Sequence, residues 1–289
     1  MKYEAIRTYS QEFTVGKMCK ALNLTKGSYY QWLRRAEKKE EKRAAEQEAV
    51  NRVIEVFESN HKTYGYRRMW HAMNNEGLMI SEYRVRKIMR ENGLYPVTTV
   101  KFRPSHNGKS TGRFFENIVK QEFYPSNLNE VWAGDITYIK TCLGWVYLAI
   151  VIDLYNREVI GYSISKSIDT ELVKRALGNA LGNTGGGGEN TTFHSDRGIQ
   201  YSSKGYQKML VAHGITGSMS RPGCPYDNAC AESFFSTAKR ECIYRKEYVT
   251  IEEVKADLFY YIEIFYNRKR MHRTLGYKSP VEYRLSKSA

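Results

Sequence analysis

Three carboxylates in this chain stand at positions where they could do chemistry together. Asp135 lies in the apolar run VWAGDITYIK (131–140). A carboxylate buried in such a run costs several kcal/mol unless something pairs with it. Asp196 directly follows the short run TTFHS (191–195), at the carboxyl end of an expected strand, where α/β sheets usually place their sites. Glu232 falls one turn into an expected helix over 227–243. Three such acids with no His or Cys ligand set make a hard, all-oxygen site, which selects Mg²⁺ (or Mn²⁺ in its place) over zinc. Two such ions, roughly 3.5–4 Å apart, activate an attacking oxygen and stabilise a leaving one at phosphorus. Lys239, seven residues after Glu232 and so on the same helical face about 10 Å away, is placed to grip a phosphate. Any one of these acids alone reads as a surface residue. Together, in this order, they read as a metal-holding catalytic set.

The elements that must position them follow from periodicity. Segments 131–140, 145–153 and 157–165 read as strands separated by short turns at Cys142-Leu143-Gly144 and Tyr155-Asn156, an antiparallel meander. A helix is expected over 169–182, with Leu172, Val173, Ala176, Leu177, Ala180 and Leu181 inward. A four-glycine connector (185–188) leads to the strand 191–195. No Gly-Lys-Ser/Thr follows the glycines, so they are a connector and not a phosphate loop. A helix over 203–213, a strand over 215–218 and the 227–243 helix complete the order βββαβαβα, which is that of the RNase H fold. In that topology the first and fourth strands are neighbours, so Asp135 and Asp196 converge, and the last helix brings Glu232 to them.

Upstream the chain is helical and basic. Residues 1–113 carry 23 Lys and Arg against 12 Asp and Glu; residues 114–289 carry 22 against 19. A basic excess in the first third points to a polyanion-binding region ahead of a more neutral body. Residues 14–35 read as two short helices around Asn23-Leu24-Thr25, followed by a separate charged helix over 36–58. Residues 60–96 read as another helix–turn–helix, with Ser81 an N-cap and Asn92-Gly93 a stop. Its coat of Arg67, Arg68, Arg84, Arg86, Lys87 and Arg90 suits DNA grooves and phosphates. The expected organisation is a helical N-terminal segment (1–46), a helix–turn–helix-like DNA-binding domain (47–100) and a basic linker (101–125) carrying Lys101 and Arg103. An RNase H-like catalytic domain (126–245) and a helical, basic C-terminal extension (246–289) follow. The fold class is therefore α/β, a mixed-sheet catalytic domain preceded by a helical DNA-binding region.

Further residues fit around this frame. Asp153 reads as the cap of the turn after the second strand, and Asp227-Asn228 as the N-cap of the Glu232 helix. His194, two residues before Asp196 on the same strand face, is an orienting or packing residue. Arg197 and Gln200 occupy the loop after Asp196, within reach of DNA or a carboxylate. Arg240, Arg268, Lys269, Arg270, His272 and Arg273 form a later basic set, with Tyr266 and Tyr277 nearby, that reads equally as a track for a phosphate backbone and as a solvated surface. The five cysteines, Cys19, Cys142, Cys224, Cys230 and Cys242, include no C-x-x-C pair and read as idle or buried thiols. No apolar run approaches the ~20 residues of a membrane helix. Nothing at the N-terminus has the apolar core of a signal peptide, so a cytoplasmic, nucleoid-associated bacterial protein is expected.

The stretches VWAGDITYI (131–139), YLAIVIDLYNREVIGYSIS (147–165), FHSDRGIQYSS (193–203), RPGCPYDNACAESFFSTAKRE (221–241) and YNRKRMHRTLGYKSPVEY (266–283) carry a resemblance. They resemble the B-frame transposase of the insertion-sequence-three family, within the DDE transposases and retroviral-type integrases. HKTYGYRRMW (61–70) and IMRENGLYP (88–96) extend the resemblance over nearly the whole chain, and 35 residues separate Asp196 from Glu232, as in the family pattern. The four-glycine connector and residues 101–115 depart from that pattern. The resemblance implies that Asp135, Asp196 and Glu232 are catalytic metal ligands and that Lys239 is the family's basic residue seven positions on. It implies strand cleavage at element ends, joining by the freed 3′-OH, and copy-out transposition through a circular intermediate. Double-stranded DNA (terminal inverted repeats and target) is the implied partner, bound by a homodimer or larger assembly. Family members often act fused to an upstream-frame protein with a leucine zipper, which this chain does not show. Two alternatives fit the same fold: a ribonuclease or resolvase, and a non-catalytic DNA-binding scaffold.

Overall fold

The computed structural model describes residues 1–97, 114–186, 190–221 and 224–288. Lys101, Arg103 and most of the expected linker lie outside the described residues, as do the last two glycines of the connector. The chain forms two compact units, residues 1–95 and residues 96–289.

The first unit is all helix: α1 (Lys2–Thr8), α2 (Val15–Ala21), α3 (Lys26–Ser59), α4 (Tyr66–Asn75) and α5 (Glu82–Glu91). The break expected after residue 35 does not occur. Thr25 caps α3, its Oγ1 accepting from the Ser28 amide at 3.1 Å, and the helix then runs unbroken for 34 residues. No proline or glycine interrupts it after Gly27, and its Lys, Glu, Ala and Gln residues are strong helix formers. The expected boundary at 46/47 thus falls inside one helix. Near its start, Tyr29 packs with Ile6 of α1 and Cys19 of α2, so Cys19 is a core side chain. Near its end, Val53, Val56 and Phe57 are buried, as are Met69 and Met73 of α4 and Val85, Ile88 and Met89 of α5. Ser81 caps α5, accepting from the Arg84 amide at 3.3 Å.

The second unit is built on five strands: β1 (Val131–Thr141), β2 (Gly144–Asp153), β3 (Val159–Ser165), β4 (Thr192–Ser195) and β5 (Thr216–Met219). Their order is β3-β2-β1-β4-β5. The first three form an antiparallel meander, while β1–β4 and β4–β5 are parallel. β3 starts two residues later than expected because Arg157 takes φ +63° in a turn that Asp153 closes. Asp153 is fully buried and accepts from the amides of Asn129 and Tyr155, both at 2.8 Å. Helices α6 (Thr170–Thr184) and α7 (Lys204–Ala212) follow β3 and β4. Trp132, Val151 and Phe193 of the sheet share a core with Leu172, Val173 and Leu177 of α6. Gly161 permits this approach, since a Cβ there would stand 2.4 Å from the Ala176 carbonyl oxygen and 2.5 Å from the Ala180 nitrogen.

A 3-10 turn (Pro225–Asn228) precedes α8 (Ala229–Glu241), which is shorter at both ends than the expected helix. The tail forms α9 (Ile251–Phe259), a π-helical turn (Tyr260–Tyr266) and α10 (Pro280–Ser288). It belongs to the second unit, not to a separate extension. The Asn267 side chain pairs with the backbone of Val159 in both directions at 3.0 Å, and Tyr248 bridges to Thr141. No described helix is long and apolar enough to cross a membrane.

Candidate active site

The site grows from the β1–β4 pairing. Ala133 lies opposite His194 in that parallel ladder, so Asp135 and Asp196 each follow two residues beyond the pair, toward the same end of the sheet. Asn228, at the head of α8, donates from Nδ2 to the Gly134 carbonyl at 3.3 Å and ties the start of that helix beside Asp135. Glu232 sits in the first turn of α8 and is exposed; Lys239 sits in its last turn and is half-buried. Asp135 Oδ1 accepts from the Ile136 amide, and Asp196 Oδ1 from the Gly198 amide, both at 2.8 Å.

These groups share one field. Burial pushes the Asp135 carboxyl well above the ordinary range, and the charges of Asp196 and Glu232 push it further. The Ile136 amide and the Lys239 ammonium pull the other way. Burial lowers Lys239, and Asp135 opposes that shift. Like-charge repulsion of this kind favours the protonated carboxyl, and a hard divalent cation reverses it. Among the described residues, no three His, Cys, Asp or Glu side chains stand close enough to enclose a metal ion. The donor chemistry nonetheless fits Mg²⁺: every candidate ligand is a carboxylate oxygen. Two buried polar atoms beside the acids, the Tyr201 hydroxyl and Asn228 Oδ1, have no hydrogen-bond partner among the described residues. Burial, then Tyr206, Asp135 and Asp196, raise the Tyr201 hydroxyl, which places it in the same field as the acids.

Around the acids stands a supporting shell. His194 lies between two serines of the neighbouring segment, with Nδ1 2.9 Å from Ser218 Oγ and Nε2 3.2 Å from Ser220 Oγ. Burial lowers its pKa to about 4, so it is a neutral cross-strand link. Asp227 is fully buried and gathers the loop before α8. It accepts from Asn117, Gln121, Cys224 and both the amide and guanidinium of Arg221. Burial alone would raise this carboxyl, but those donors outweigh it and hold it below the usual range. Neither Asp227 nor Asn228 makes the expected side-chain cap of α8. Arg197 donates from Nε to the Ser220 carbonyl at 2.8 Å and lies over the Phe114 ring, and Gln200 donates to the Ile168 carbonyl at 3.2 Å.

The basic residues divide. Arg270 was expected at a DNA surface, but it is 5% exposed and bound at both ends of its fork to Glu241, at 2.7 and 2.8 Å. That guanidinium fastens the tail and is not a surface cation. His272 contacts Arg270 at 3.4 Å and packs edge-on to Tyr266. Arg240, Arg268, Lys269 and Arg273 are exposed. In the first unit Arg67 pairs with Glu82, Arg84 with Glu46 and Lys87 with Glu91, while Arg68 and Arg86 lie over Tyr64 and Tyr66. The Asp227 hub and Tyr201 had no signal in periodicity, although both lie inside the motifs quoted for their neighbours.

A mixed sheet in this order, with acids on its first strand, at the end of its fourth and on the helix after its fifth, defines an integrase-type, RNase H-like core. Family models agree. Residues 125–225 and 213–280 each match a model described as an integrase core domain, residues 44–102 match an HTH-like domain and residues 1–60 match a transposase model. The chain is 38% identical over 283 residues to the transposase InsF for insertion sequence IS3A of Escherichia coli K12, covering 98% of each chain. It is 38% identical to the transposase for insertion sequence element IS904 of Lactococcus lactis, covering 84% of this chain and 96% of that one. Among solved structures, an intasome of simian T-cell lymphotropic virus aligns at a TM-score of 0.45 and 16% identity, over 74% of this chain and 69% of that chain. The chain belongs to the IS3 family of transposases, enzymes of the polynucleotidyl transferase superfamily.

Proposed function

We propose that this transposase cleaves one strand at each end of an insertion sequence and joins the freed 3′-OH to a new phosphodiester, with Asp135, Asp196 and Glu232 holding Mg²⁺. The observation that carries the reading is the parallel β1–β4 register, which carries Asp135 and Asp196 toward one end of the sheet, together with the Asn228 bond to the Gly134 carbonyl, which starts the helix of Glu232 and Lys239 beside Asp135. Bound divalent metal supplies Lewis-acid stabilisation of the charge that builds on phosphate oxygens, and Mn²⁺ substitutes for it. The chain's own work is to hold and to orient. Asp135, within β1, and Asp196, just past β4, each fixed by a backbone amide, present oxygen to the cation from the rigid sheet. Glu232 completes the set from a helix tied to β1 by Asn228. Lys239 binds the phosphate beside the acids. In the first step water attacks phosphorus and the 3′ oxygen leaves with a proton; in the second that 3′-OH attacks a new phosphorus and displaces another 3′ oxygen.

The DNA partners in this reading are the terminal inverted repeats and a target duplex, handled by a homodimer or larger assembly that holds two ends together. Fusion with an upstream-frame DNA-binding protein and a cytoplasmic, nucleoid-associated location belong to the same proposal. The helix–turn–helix region and the exposed Arg240, Arg268 and Arg273 supply phosphate contacts, as do Lys101, Arg103, Arg197 and His272. The test is Glu232→Gln assayed on labelled element-end DNA with Mg²⁺. Joined product should fall at least about a thousandfold while end binding stays within about twofold. Joining that survives the substitution overturns the assignment, and cleavage without any joining in the native chain points to a nuclease instead.

A further inference from the structure

Beyond the acids, the β1–β2 hairpin carries aromatic rings that the proposed chemistry leaves unused. Trp145 is 50% exposed and lies edge-on to Tyr138, ring centroids 5.2 Å apart at 87°. In the β1–β2 ladder Tyr138 faces Tyr147, so Trp145, two residues earlier, falls on the same side of the hairpin as Tyr138. The Lys239 ammonium stands 5.1 Å from the centroid of the Tyr138 ring, a cation–π distance. Tyr244, just after α8, is 44% exposed. Lys140, exposed, is the direct cross-strand partner of Trp145.

This shelf is held rigidly. Thr141 Oγ1 donates to the Gly144 carbonyl across the hairpin turn at 2.8 Å. The Cys142 amide donates to the Tyr248 carbonyl at 2.8 Å, which fastens the segment after Tyr244 to the same turn. Rings of this size left in water on a stiffened hairpin are a stacking surface awaiting a flat partner. Their neighbours fix which partner: Lys239 reaches from the acid site to the Tyr138 ring, and Lys140 adds a second cation on the same hairpin.

We infer that Tyr138 and Trp145 form a stacking platform for an unpaired nucleobase next to the scissile phosphate, with Lys239 joining platform to acid site. The inference rests on the proposed role of the acids for its placement. Paired bases hide their faces inside the duplex, so only a base that has left the stack meets such rings. Aromatic stacking also tolerates any base, which suits a platform whose task is to hold a DNA end open and not to read it. A strand melted at its end keeps its terminal phosphate bond accessible to in-line attack.

The experiment uses the full chain and element-end duplexes carrying 2-aminopurine at successive positions around the cleavage point. Binding should change the fluorescence at one or two adjacent positions and leave the interior positions unchanged. Trp145→Ala should remove that response and weaken binding to ends with an unpaired 3′ overhang about tenfold. Binding to fully paired repeat DNA should stay within about twofold. Trp145→Phe should recover most of the loss, which a merely structural role for the indole would not require. An equal loss on paired and unpaired DNA, or fluorescence that ignores the protein at every position, overturns the platform. Glu232→Gln keeps the two readings separate: it should retain the fluorescence response with joining gone, whereas joining that persists in Glu232→Gln refutes the acids and leaves the stacking result standing.

Discussion

The two units handle charge in opposite ways. In the first, the ion pairs lie in solvent: Arg7–Glu40, Arg52–Glu76, Arg67–Glu82, Arg84–Glu46 and Lys87–Glu91 all keep both partners more than a third exposed. Its buried side chains among the described residues are apolar, Thr63 excepted. In the second, Asp153, His194, Asp227, Asn267 and Arg270 are all buried, and each is matched by named donors or acceptors. Exposed pairs contribute little stability and exchange partners readily, so arginines of the first unit can trade a glutamate for a phosphate at small cost. Buried polar groups tolerate no such exchange, and they fix backbone positions around the acids.

The contrast can be broken most directly at Glu241. Replacing it with Ala strands Arg270, 5% exposed, without its carboxylate, and the second unit should lose about 3–5 kcal/mol, measured by urea denaturation. A loss under about 1 kcal/mol would mean that the pair is no more than a surface contact. Next comes His194, whose pKa burial lowers from 6.5 to about 4. A histidine depressed in the fold is protonated first in the unfolded chain. Native stability should therefore fall as pH drops from about 6.5 and level off below about 4, by on the order of 3 kcal/mol. Asp153, raised by burial to about 6, acts in the opposite direction, since its carboxyl costs stability as pH rises toward that value. Comparing the native chain with His194→Gln across pH 4–7 cancels the Asp153 contribution, and the native chain alone should show the histidine slope. Identical slopes would refute the buried neutral histidine. The smallest effect is expected from Glu46→Ala in the first unit. It frees Arg84, should change stability by less than about 1 kcal/mol, and should tighten DNA binding slightly at low salt. A large destabilisation there would erase the distinction between the units.

The sheet was legible because its evidence is local. Alternation and short apolar runs marked five strands, the turn residues separated them, and the acids announced themselves by standing where burial is costly. Helix α3 hides its length in the sequence, because Tyr29, Tyr30, Trp32 and Leu33 have a different apolar character from the charged stretch after them and the pattern breaks where the backbone does not. What governs continuity there is backbone propensity, which is uniform across the join. The tail hides its packing for another reason. Arg270 and Asn267 sit among exposed cations in the sequence, and the partners that bury them, Glu241 and Val159, lie 29 and 108 residues away. Such side-chain pairings leave no period in the chain. Asp227 likewise looked like a helix cap, because its position fits one and its actual donors come from Asn117, Gln121 and Arg221.

At 34 residues α3 measures about 51 Å, roughly one and a half turns of duplex DNA. One helical cluster sits at its beginning and another at its end, so the helix acts as a ruler with a fixed phase. A single residue inserted into the solvated stretch 36–47 would turn one cluster about 100° against the other while lengthening the ruler only about 1.5 Å. Seven would bring both back nearly into alignment. Tolerance of insertions there should therefore rise and fall with the helical period rather than decline steadily with length.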